Sequence, residues 1–200
     1  MIINNVLKFF AVIGLIILSP IIIISLILIL IEDGSPAIFY QDRLGKDKKV
    51  FRIYKIRTMY NETPNAGTHE VSKSQYLKVG ALLRKLKIDE LPQIFNYIKG
   101  DINLIGPRPG LPSQAMLTKY RDGNDIFTLV PGISGLSQVL GFDMSNPKVL
   151  ADIDKLYLEK KSIRLDITIF IATFFMSFRN KLVIRFENEI LEYTQEQKQK

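Results

Sequence analysis

The stretch "FFAVIGLIILSPIIIISLILILI", residues 9–31, decides the architecture of this 200-residue chain. Its 23 residues include no charged side chain, and about 20 apolar residues let a helix cross a bilayer core of about 30 Å. A cleaved signal peptide has an apolar region of only about 7–15 residues before a small-residue cleavage site. Here Glu32-Asp33-Gly34 follows instead. The stretch therefore predicts a membrane segment.

Ser19-Pro20 lies in the middle of this segment. Proline lacks an N–H and its ring clashes with the carbonyl four residues back, here that of Ile16, so the helix is expected to kink or break. Two readings stay open: a kinked spanning helix, and a re-entrant helix-break-helix that enters one leaflet and returns. Basic residues are dense after the segment, which places that side in the cytoplasm. Since only Lys8 precedes it, we predict a re-entrant hairpin over residues 1–31.

The charge balance points to an anionic partner. Lysine and arginine number 27 against 20 acidic residues, which gives a net charge of +7 and a pI of about 9.5. Nucleic acid, a lipid surface and phosphorylated substrates all fit this balance. The chain contains no cysteine, which excludes disulfides and thiolate metal sites. Beyond the membrane segment its length predicts one small domain over residues 32–185, followed by a polar tail over 186–200.

Mixed patterns after the membrane segment predict an α+β domain. Residues 38–59 read as two strands joined around Gly45-Lys46-Asp47, and the period of two places Phe51, Ile53, Lys55 and Arg57 on one face. Residues 60–75 read as a polar loop that carries the only histidine, His69, which we predict to be solvated.

Further segments complete the prediction. A helix is expected from about Asp89 to Lys99, with Gly100 at its C′ position. Residues 102–113 read as a proline-rich turn region and 128–141 as β-like. Shorter helical patterns cover 76–86, 113–121, 147–161 and the apolar run 165–178, which is too short to span a membrane.

Asp89 and Glu90 are the first candidate site residues. Their ordinary role is to cap the predicted helix and to complement its dipole. The same position suits phosphate chemistry, because a helix N-terminus attracts anions. Adjacent carboxylates on a helix diverge by about 100°, so one of them can attack while the other holds a divalent cation.

Three basic residues and one further acid are also candidates. Arg108 lies between two prolines in "GPRPG", which restricts its backbone and suits bidentate binding of phosphate oxygens, although an exposed turn arginine is the simpler reading. Lys55 and Arg57 fit either lipid headgroups or a pyrophosphate substrate. Asp166 either caps the last apolar helix or belongs to the site.

Three blocks of the sequence resemble the bacterial sugar transferase family: "YKIRTM", "DELPQIFNYIKGDINLIGPRP" and "VPGISGLSQV", in this order. The length and the Ser-Pro hairpin are similar to those of its small monotopic phosphoglycosyl transferases. This resemblance implies a catalytic domain that lies on the cytoplasmic face of the bacterial inner membrane. The chain departs from the family's pattern ahead of the Ser-Pro break, where Lys8 is its only basic residue.

The resemblance also implies a reaction and roles for residues. A UDP-sugar donates its sugar 1-phosphate to undecaprenyl phosphate, and UMP is released. Asp89 matches the nucleophile, which forms an aspartyl-phosphosugar intermediate, and Glu90 matches the Mg²⁺ ligand. Lys55 and Arg108 match phosphate-binding positions, and Asp166 matches a further acid of the site; we assign Arg57 to the phosphates as well.

An alternative class stays open at this point. A non-catalytic, membrane-anchored basic protein that binds anionic lipid or nucleic acid would show the same net charge. It would give no reason for paired carboxylates beside a proline-fixed arginine. We therefore expect an enzyme whose partners are the two substrates and the bilayer, with no nucleic acid, and we leave homo-oligomerisation open.

Overall fold

The computed structural model describes residues 2–63 and 73–195. The chain divides into two compact units, which are described separately. The first comprises Met1–Asp42 and Arg52–Asp101, and the second comprises Arg43–Phe51 and Ile102–Lys200. Both contain helices and short strands, which confirms the prediction of a mixed helix and sheet protein.

The first unit is mainly helical. Its elements are helix α1 (Ile2–Asp33), most of the strands β1 (Ile38–Leu44) and β2 (Val50–Ile56), and helices α2 (Lys78–Lys85) and α3 (Gln93–Lys99). Strands β1 and β2 pair with one another. They are antiparallel, because the five residues between them are too few for a parallel crossover.

Helix α1 continues through Ser19 and Pro20, where the sequence predicted a kink or a break in the helix. The carbonyl that Pro20 cannot bond is satisfied locally: the Ser19 hydroxyl donates to the Ile16 oxygen at 2.7 Å. This is one of the ways in which a helix of a membrane protein tolerates proline. Residues 6–33 are long and apolar enough to cross a membrane, by length and composition.

The C-terminal half of α1 packs into the first unit. Ile29 is fully buried and forms a core cluster with Ile56, Leu77 and Leu83. Most of the helix is exposed, including Phe9 at 63% and Ile31 at 77%. An exposed apolar surface of this extent marks a site of contact with a membrane or with another protein.

The predicted helix over 89–99 is wrong at its beginning. Residues Ile88–Glu90 form a 3₁₀ turn, and α3 begins only at Gln93 with Pro92 as its N-cap. Proline is favourable near a helix start, but Pro92 has no N–H to donate to Ile88 O, which instead accepts from Leu91 N at 3.1 Å in a 3₁₀ bond. Asp89 therefore does not cap α3. The predicted end is confirmed, since Gly100 adopts φ +90°, a conformation that glycine reaches without strain.

The second unit contains a small parallel sheet and six helices among its described residues. Strand β3 (Asn103–Ile105) pairs with strand β4 (Gly132–Ser134), with Asn103 opposite Gly132 and Ile105 opposite Ser134. The helices are α4 (Ala115–Gly123), α5 (Leu136–Leu140), α6 (Pro147–Lys160), α7 (Ile163–Phe174), α8 (Met176–Arg185) and α9 (Glu187–Gln195).

The second unit differs from the prediction in four segments. The run 102–113, predicted to be a turn region, contains strand β3. The β-like run 128–141 holds only a three-residue strand and then helix α5. The apolar run 165–178 is divided between α7 and α8, because Phe175 leaves helical geometry with φ −120° and ψ 114°. The tail predicted to be polar begins with a buried Phe186 and continues as α9.

Candidate active site

Asp89 is a buried carboxylate in the first unit. The 3₁₀ turn Ile88–Glu90 leaves its side chain only 4% exposed. Burial raises the pKa of Asp89, and the charge of Glu90 acts in the same direction, while Lys55 and Arg84 oppose the shift. A buried carboxylate whose pKa is shifted by neighbouring charges is the kind of titratable group found at functional sites.

Glu90 forms an ion pair with Lys55. Lys55 Nζ lies 2.8 Å from Glu90 Oε1, and both side chains are largely buried. Lys55 is the last residue but one of β2, so the ion pair joins the end of this strand to the 3₁₀ turn Ile88–Glu90. Lys55 thus lies near both carboxylates, as the prediction of a joint site requires.

Asn96 fixes α3 to strand β2 and was missed by the sequence analysis. Its side chain is fully buried. The amide accepts from Tyr54 N at 3.2 Å and donates to Arg52 O at 2.7 Å and to Asp101 at 3.0 Å. The available signal was an asparagine inside an otherwise apolar helix, where it is unfavourable unless it bonds to backbone elsewhere.

Arg57 lies at the end of α1. Its guanidinium binds the carboxylate of Asp33 and the carbonyl of Gly34, the latter at 2.6 Å. Glu32 completes this junction, since its carboxylate accepts from Lys78 N at 2.6 Å and Val79 N at 2.9 Å and so caps α2. Arg57 therefore joins helix α1 to strand β2, and its predicted contact with substrate phosphate stays a prediction.

Arg108 lies in the second unit, in a turn whose other residues are buried. Pro107, Pro109 and Gly110 are buried, whereas Arg108 is half-exposed. The turn is held by backbone bonds: Gly132 N donates to Pro107 O at 3.0 Å and Leu44 N donates to Gly110 O at 2.9 Å. The prediction of a restricted arginine therefore fits the surrounding structure.

Two buried arginines accompany this turn and were also missed. Arg43, which is 8% exposed, donates through Nη1 to Pro109 O at 3.0 Å. Arg121 forms an ion pair with Asp154 at 2.6 Å, and Ser137 donates to the same carboxylate. Burial lowers the pKa of Arg43, as do the charges of Arg108 and Arg121. The signal in the sequence was "QDR", in which the period of two of the predicted strand places the polar residues Gln41 and Arg43 on one face.

Asp166 lies in the first turn of α7 and accepts a bond from Tyr157. The Tyr157 hydroxyl, which is buried, donates to Asp166 Oδ1 at 2.7 Å. Burial raises the pKa of Tyr157, and the hydrogen bond and charge of Asp166 raise it further. The helix is capped by Ser162, which accepts from Leu165 N at 3.2 Å, so Asp166 has no capping role.

The candidate residues thus form three groups. Asp89, Glu90 and Lys55 come together in the first unit, and Arg57 lies in the same unit at the end of α1. Arg108 and Asp166 lie in the second unit. His69, predicted to be solvated, lies outside the described residues.

Within residues 2–63 and 73–195, no group of three or more histidine, cysteine or acidic side chains could hold a metal ion. Mg²⁺ usually takes one or two protein carboxylates together with substrate phosphates and water, so a site for it needs no such group. Glu90 fits such a role because it is partly exposed and lies beside a buried acid.

The family model of the bacterial sugar transferases matches residues 2–180. The chain is also similar to curated proteins. The UDP-N-acetylgalactosamine-undecaprenyl-phosphate N-acetylgalactosaminephosphotransferase of Aeromonas hydrophila is 36% identical over 82% of this chain and 40% of its own length. The UDP-glucose:undecaprenyl-phosphate glucose-1-phosphate transferase of Caulobacter vibrioides is 31% identical over 78% of this chain and 61% of its own.

A third relative, the undecaprenyl-phosphate galactose phosphotransferase of Salmonella typhimurium, is 32% identical over 71% of this chain and 33% of its own length. The chain therefore spans between about a third and three fifths of the length of these three relatives. The sugars in the three names differ from one another.

Proposed function

The chain belongs to the bacterial sugar transferase family, and from this membership we propose that it transfers a sugar 1-phosphate from a UDP-sugar to undecaprenyl phosphate. The products are undecaprenyl-diphospho-sugar and UMP. The observation that carries the proposal is the buried Asp89 beside the Lys55–Glu90 ion pair, in the block of sequence that resembles the family's active site. The names of the relatives supply the substrate classes.

In the first step the Asp89 carboxylate attacks the phosphorus that bears the sugar. The bond between this phosphorus and the bridging oxygen breaks, and UMP leaves with that oxygen. An aspartyl-phosphosugar remains on the chain. Burial of Asp89 supports this role, because a carboxylate that has already lost its water needs no further desolvation before it attacks.

In the second step a phosphate oxygen of undecaprenyl phosphate attacks the same phosphorus. The acyl phosphate bond breaks, the diphosphate bond forms and the Asp89 carboxylate is regenerated. Dividing the transfer into two displacements lets a soluble donor and a membrane-bound acceptor use one nucleophile in turn.

Glu90 would hold Mg²⁺, which when bound neutralises charge on the phosphoryl oxygens and the leaving group. Lys55 orients Glu90 through the 2.8 Å ion pair and can exchange this contact for a substrate phosphate. Arg108 binds phosphate from its fixed turn with a planar pair of donors. Asp166 contributes a further acid, whose orientation is set by Tyr157.

The re-entrant topology is part of this proposal, and contacts at both ends of α1 support it. Near its beginning, Lys8 Nζ donates to Ile98 O, at the end of α3, at 2.9 Å. At its end, Glu32 caps α2. Since α2 and α3 belong to one compact unit, a helix that carried Lys8 across the bilayer would lose the first contact. A bend at Pro20 lets both ends stay at one surface.

Placement of the second unit at the membrane surface is supported by helices α7 and α8. They expose large apolar side chains, namely Ile163, Ile167, Phe170, Phe174, Phe175, Met176 and Ile184. Basic residues accompany them on α8, including Arg179, Lys181 and Arg185. Apolar side chains flanked by cations are typical of helices that lie in the interface of an anionic bilayer. We place the protein on the cytoplasmic face of a bacterial inner membrane, at the first membrane step of glycoconjugate assembly.

The experiment is a product assay on the full chain in detergent. UDP-N-acetylgalactosamine, UDP-glucose and UDP-galactose are each supplied with undecaprenyl phosphate, with and without Mg²⁺. We expect Mg²⁺-dependent release of UMP and transfer of labelled sugar to the lipid from at least one donor. Release of UDP would contradict the proposal, since it would mean that the sugar moves without its phosphate.

A further inference from the structure

We propose that Arg43 is a positioning residue for Arg108, which it serves by fixing the 107–110 turn and by adding positive charge where the nucleotide phosphate binds. The inference rests on the phosphate-binding role given to Arg108 under the proposed function. It concerns residues of the second unit alone.

The backbone is held on each side of Arg108. Before it, the Pro107 oxygen accepts from Gly132 N at 3.0 Å. After it, the Pro109 oxygen accepts from Arg43 Nη1, also at 3.0 Å. Gly132 contributes only its backbone, so Arg43 is the side chain that holds the turn at this point.

Side chains alternate between the two faces of strand β1, and this alternation directs Arg43 toward the 107–110 turn. Gln41 and Arg43 are buried, whereas Tyr40 and Asp42 are exposed. Leu44, the next residue, donates from its backbone to Gly110 O at 2.9 Å. Two successive residues of the strand therefore bind two successive carbonyls of the turn, which sets the register between them.

Burying the positive charge of Arg43 beside two other arginines costs free energy, so the presence of an arginine at this position needs an explanation. Arginine is rarely buried to this degree, and Arg108 and Arg121 are close enough to lower its pKa. The charge of Arg121 is balanced by Asp154 at 2.6 Å. A neutral glutamine could donate to Pro109 O without this repulsion. Three arginines this close together, one of them half-exposed, are suited to binding an anion such as a phosphate.

The test is a double-mutant cycle on the binding of UMP, the product shared by all UDP-sugar donors, to the full chain in detergent with Mg²⁺. The variants are Arg43→Met, Arg108→Met and the double variant, with Lys49→Met as a control. Lys49 is exposed on the same hairpin, so this change removes an equal charge without touching the turn. Thermal unfolding of each variant reports its folding.

We expect Arg43→Met and Arg108→Met each to weaken UMP binding by about tenfold or more, as for loss of a charge-assisted hydrogen bond. The double variant should bind more weakly than Arg108→Met, but by a smaller factor than Arg43→Met alone causes, because Arg43 acts partly by fixing the Arg108 turn and partly through its own charge. Lys49→Met should bind as the native chain does. Should Arg43→Met not fold, Arg43→Gln keeps a donor to Pro109, and we expect it to fold and still bind UMP more weakly.

Two results would overturn the inference while leaving the proposed function intact. One is that Arg108→Met weakens UMP binding but Arg43→Met and Arg43→Gln do not. The other is that the effects of Arg43→Met and Arg108→Met multiply in the double variant, which would give Arg43 an independent structural role. A native chain that does not bind UMP would instead overturn the proposed function, and the inference with it.

Discussion

At the scale of single residues, the surroundings of Asp89, the proposed nucleophile, set the protonation of its carboxylate. Asp89 lies in a 3₁₀ turn with its side chain buried, and this burial raises its pKa. The nearby Lys55 and Arg84 favour the ionised form. Such a balance keeps a carboxylate reactive without surrounding it with water.

Asp89→Asn should abolish UMP release without loss of stability at neutral pH. An acid whose pKa is raised by folding is favoured in its protonated form, so stability is greatest below the unfolded pKa and falls as pH rises through the folded value. The neutral amide avoids that loss at pH 7. We therefore expect a thermal midpoint equal to or above that of the native chain, measured together with UMP release. Near-native UMP release would exclude Asp89 as the nucleophile.

The same shift predicts an acid limb in the pH profile. The nucleophile must be ionised, and burial raises the pKa of Asp89 above the ordinary aspartate value. Single-turnover UMP release should therefore fall on acidification while the fold is still intact, as followed by circular dichroism. A limb that coincides with unfolding would assign the loss to the fold.

Glu90→Gln should change the Mg²⁺ dependence more than the fold. The amide keeps the size of the side chain but loses the charge that binds both Lys55 and, as proposed, the metal. We expect the Mg²⁺ concentration for half-maximal UMP release to rise by about tenfold or more, in line with loss of a charged ligand. Asp42→Asn, an exposed acid on β1, is the control. An unchanged titration would mean that other groups hold the metal.

At the scale of elements, the residues that join or end strands and helices predicted their positions better than the pattern of residues inside them did. The two strands around Gly45 and the end of α3 at Gly100 followed from turn chemistry, and both are confirmed. The beginning of α3 was wrong, because the motif "DELP" allows either a cap or a 3₁₀ turn, and Pro92 has no N–H with which to extend the α-helical hydrogen bonds back to Ile88.

The sequence did not predict which further polar residues are buried around the site. Lys55, Asp89 and Glu90 were predicted from motif and resemblance. Arg43 and Asn96 were missed, because their roles depend on partners far away in the chain, at Pro109 and Tyr54. Local pattern contains no information on which distant backbone groups need a donor.

Asn96→Ala tests the junction between α3 and β2. The change leaves a strand amide and a strand carbonyl without their side-chain partner, so we expect a loss of about 3 kcal/mol in the free energy of unfolding. Lys85→Ala, at an exposed position of α2, should change it by less than about 0.5 kcal/mol. Denaturant unfolding in detergent measures both. Equal stabilities would show that these hydrogen bonds contribute little.

At the scale of the whole molecule, charge and apolar surface point to the same environment. The net charge of +7 accompanies an apolar helix that exposes most of its length, and α7 and α8 expose further apolar side chains. A water-soluble nucleic-acid-binding protein would have the charge but would need to cover these surfaces. A bilayer with anionic headgroups meets both requirements.

Topology is the prediction that belongs to this scale. A re-entrant α1 keeps Lys8 with Ile98 and Glu32 with α2 on one side of the membrane, whereas a spanning helix separates them. A cysteine at Asn4, in a chain with no other cysteine, should therefore resist a membrane-impermeant thiol reagent in whole cells and react after permeabilisation. A cysteine at Lys46, on the exposed tip of the hairpin, is the cytoplasmic control.

Replacing Ser19 and Pro20 with alanine should reverse this result. Proline costs about 3 kcal/mol or more in a helix interior, so its removal favours a straight helix that is long enough to cross the bilayer. The Asn4 cysteine should then react from outside in an increased fraction of molecules, and the Lys8 contact with Ile98 should be lost. If the Asn4 cysteine reacts from outside while Ser19 and Pro20 are intact, α1 spans the membrane and the re-entrant topology is wrong.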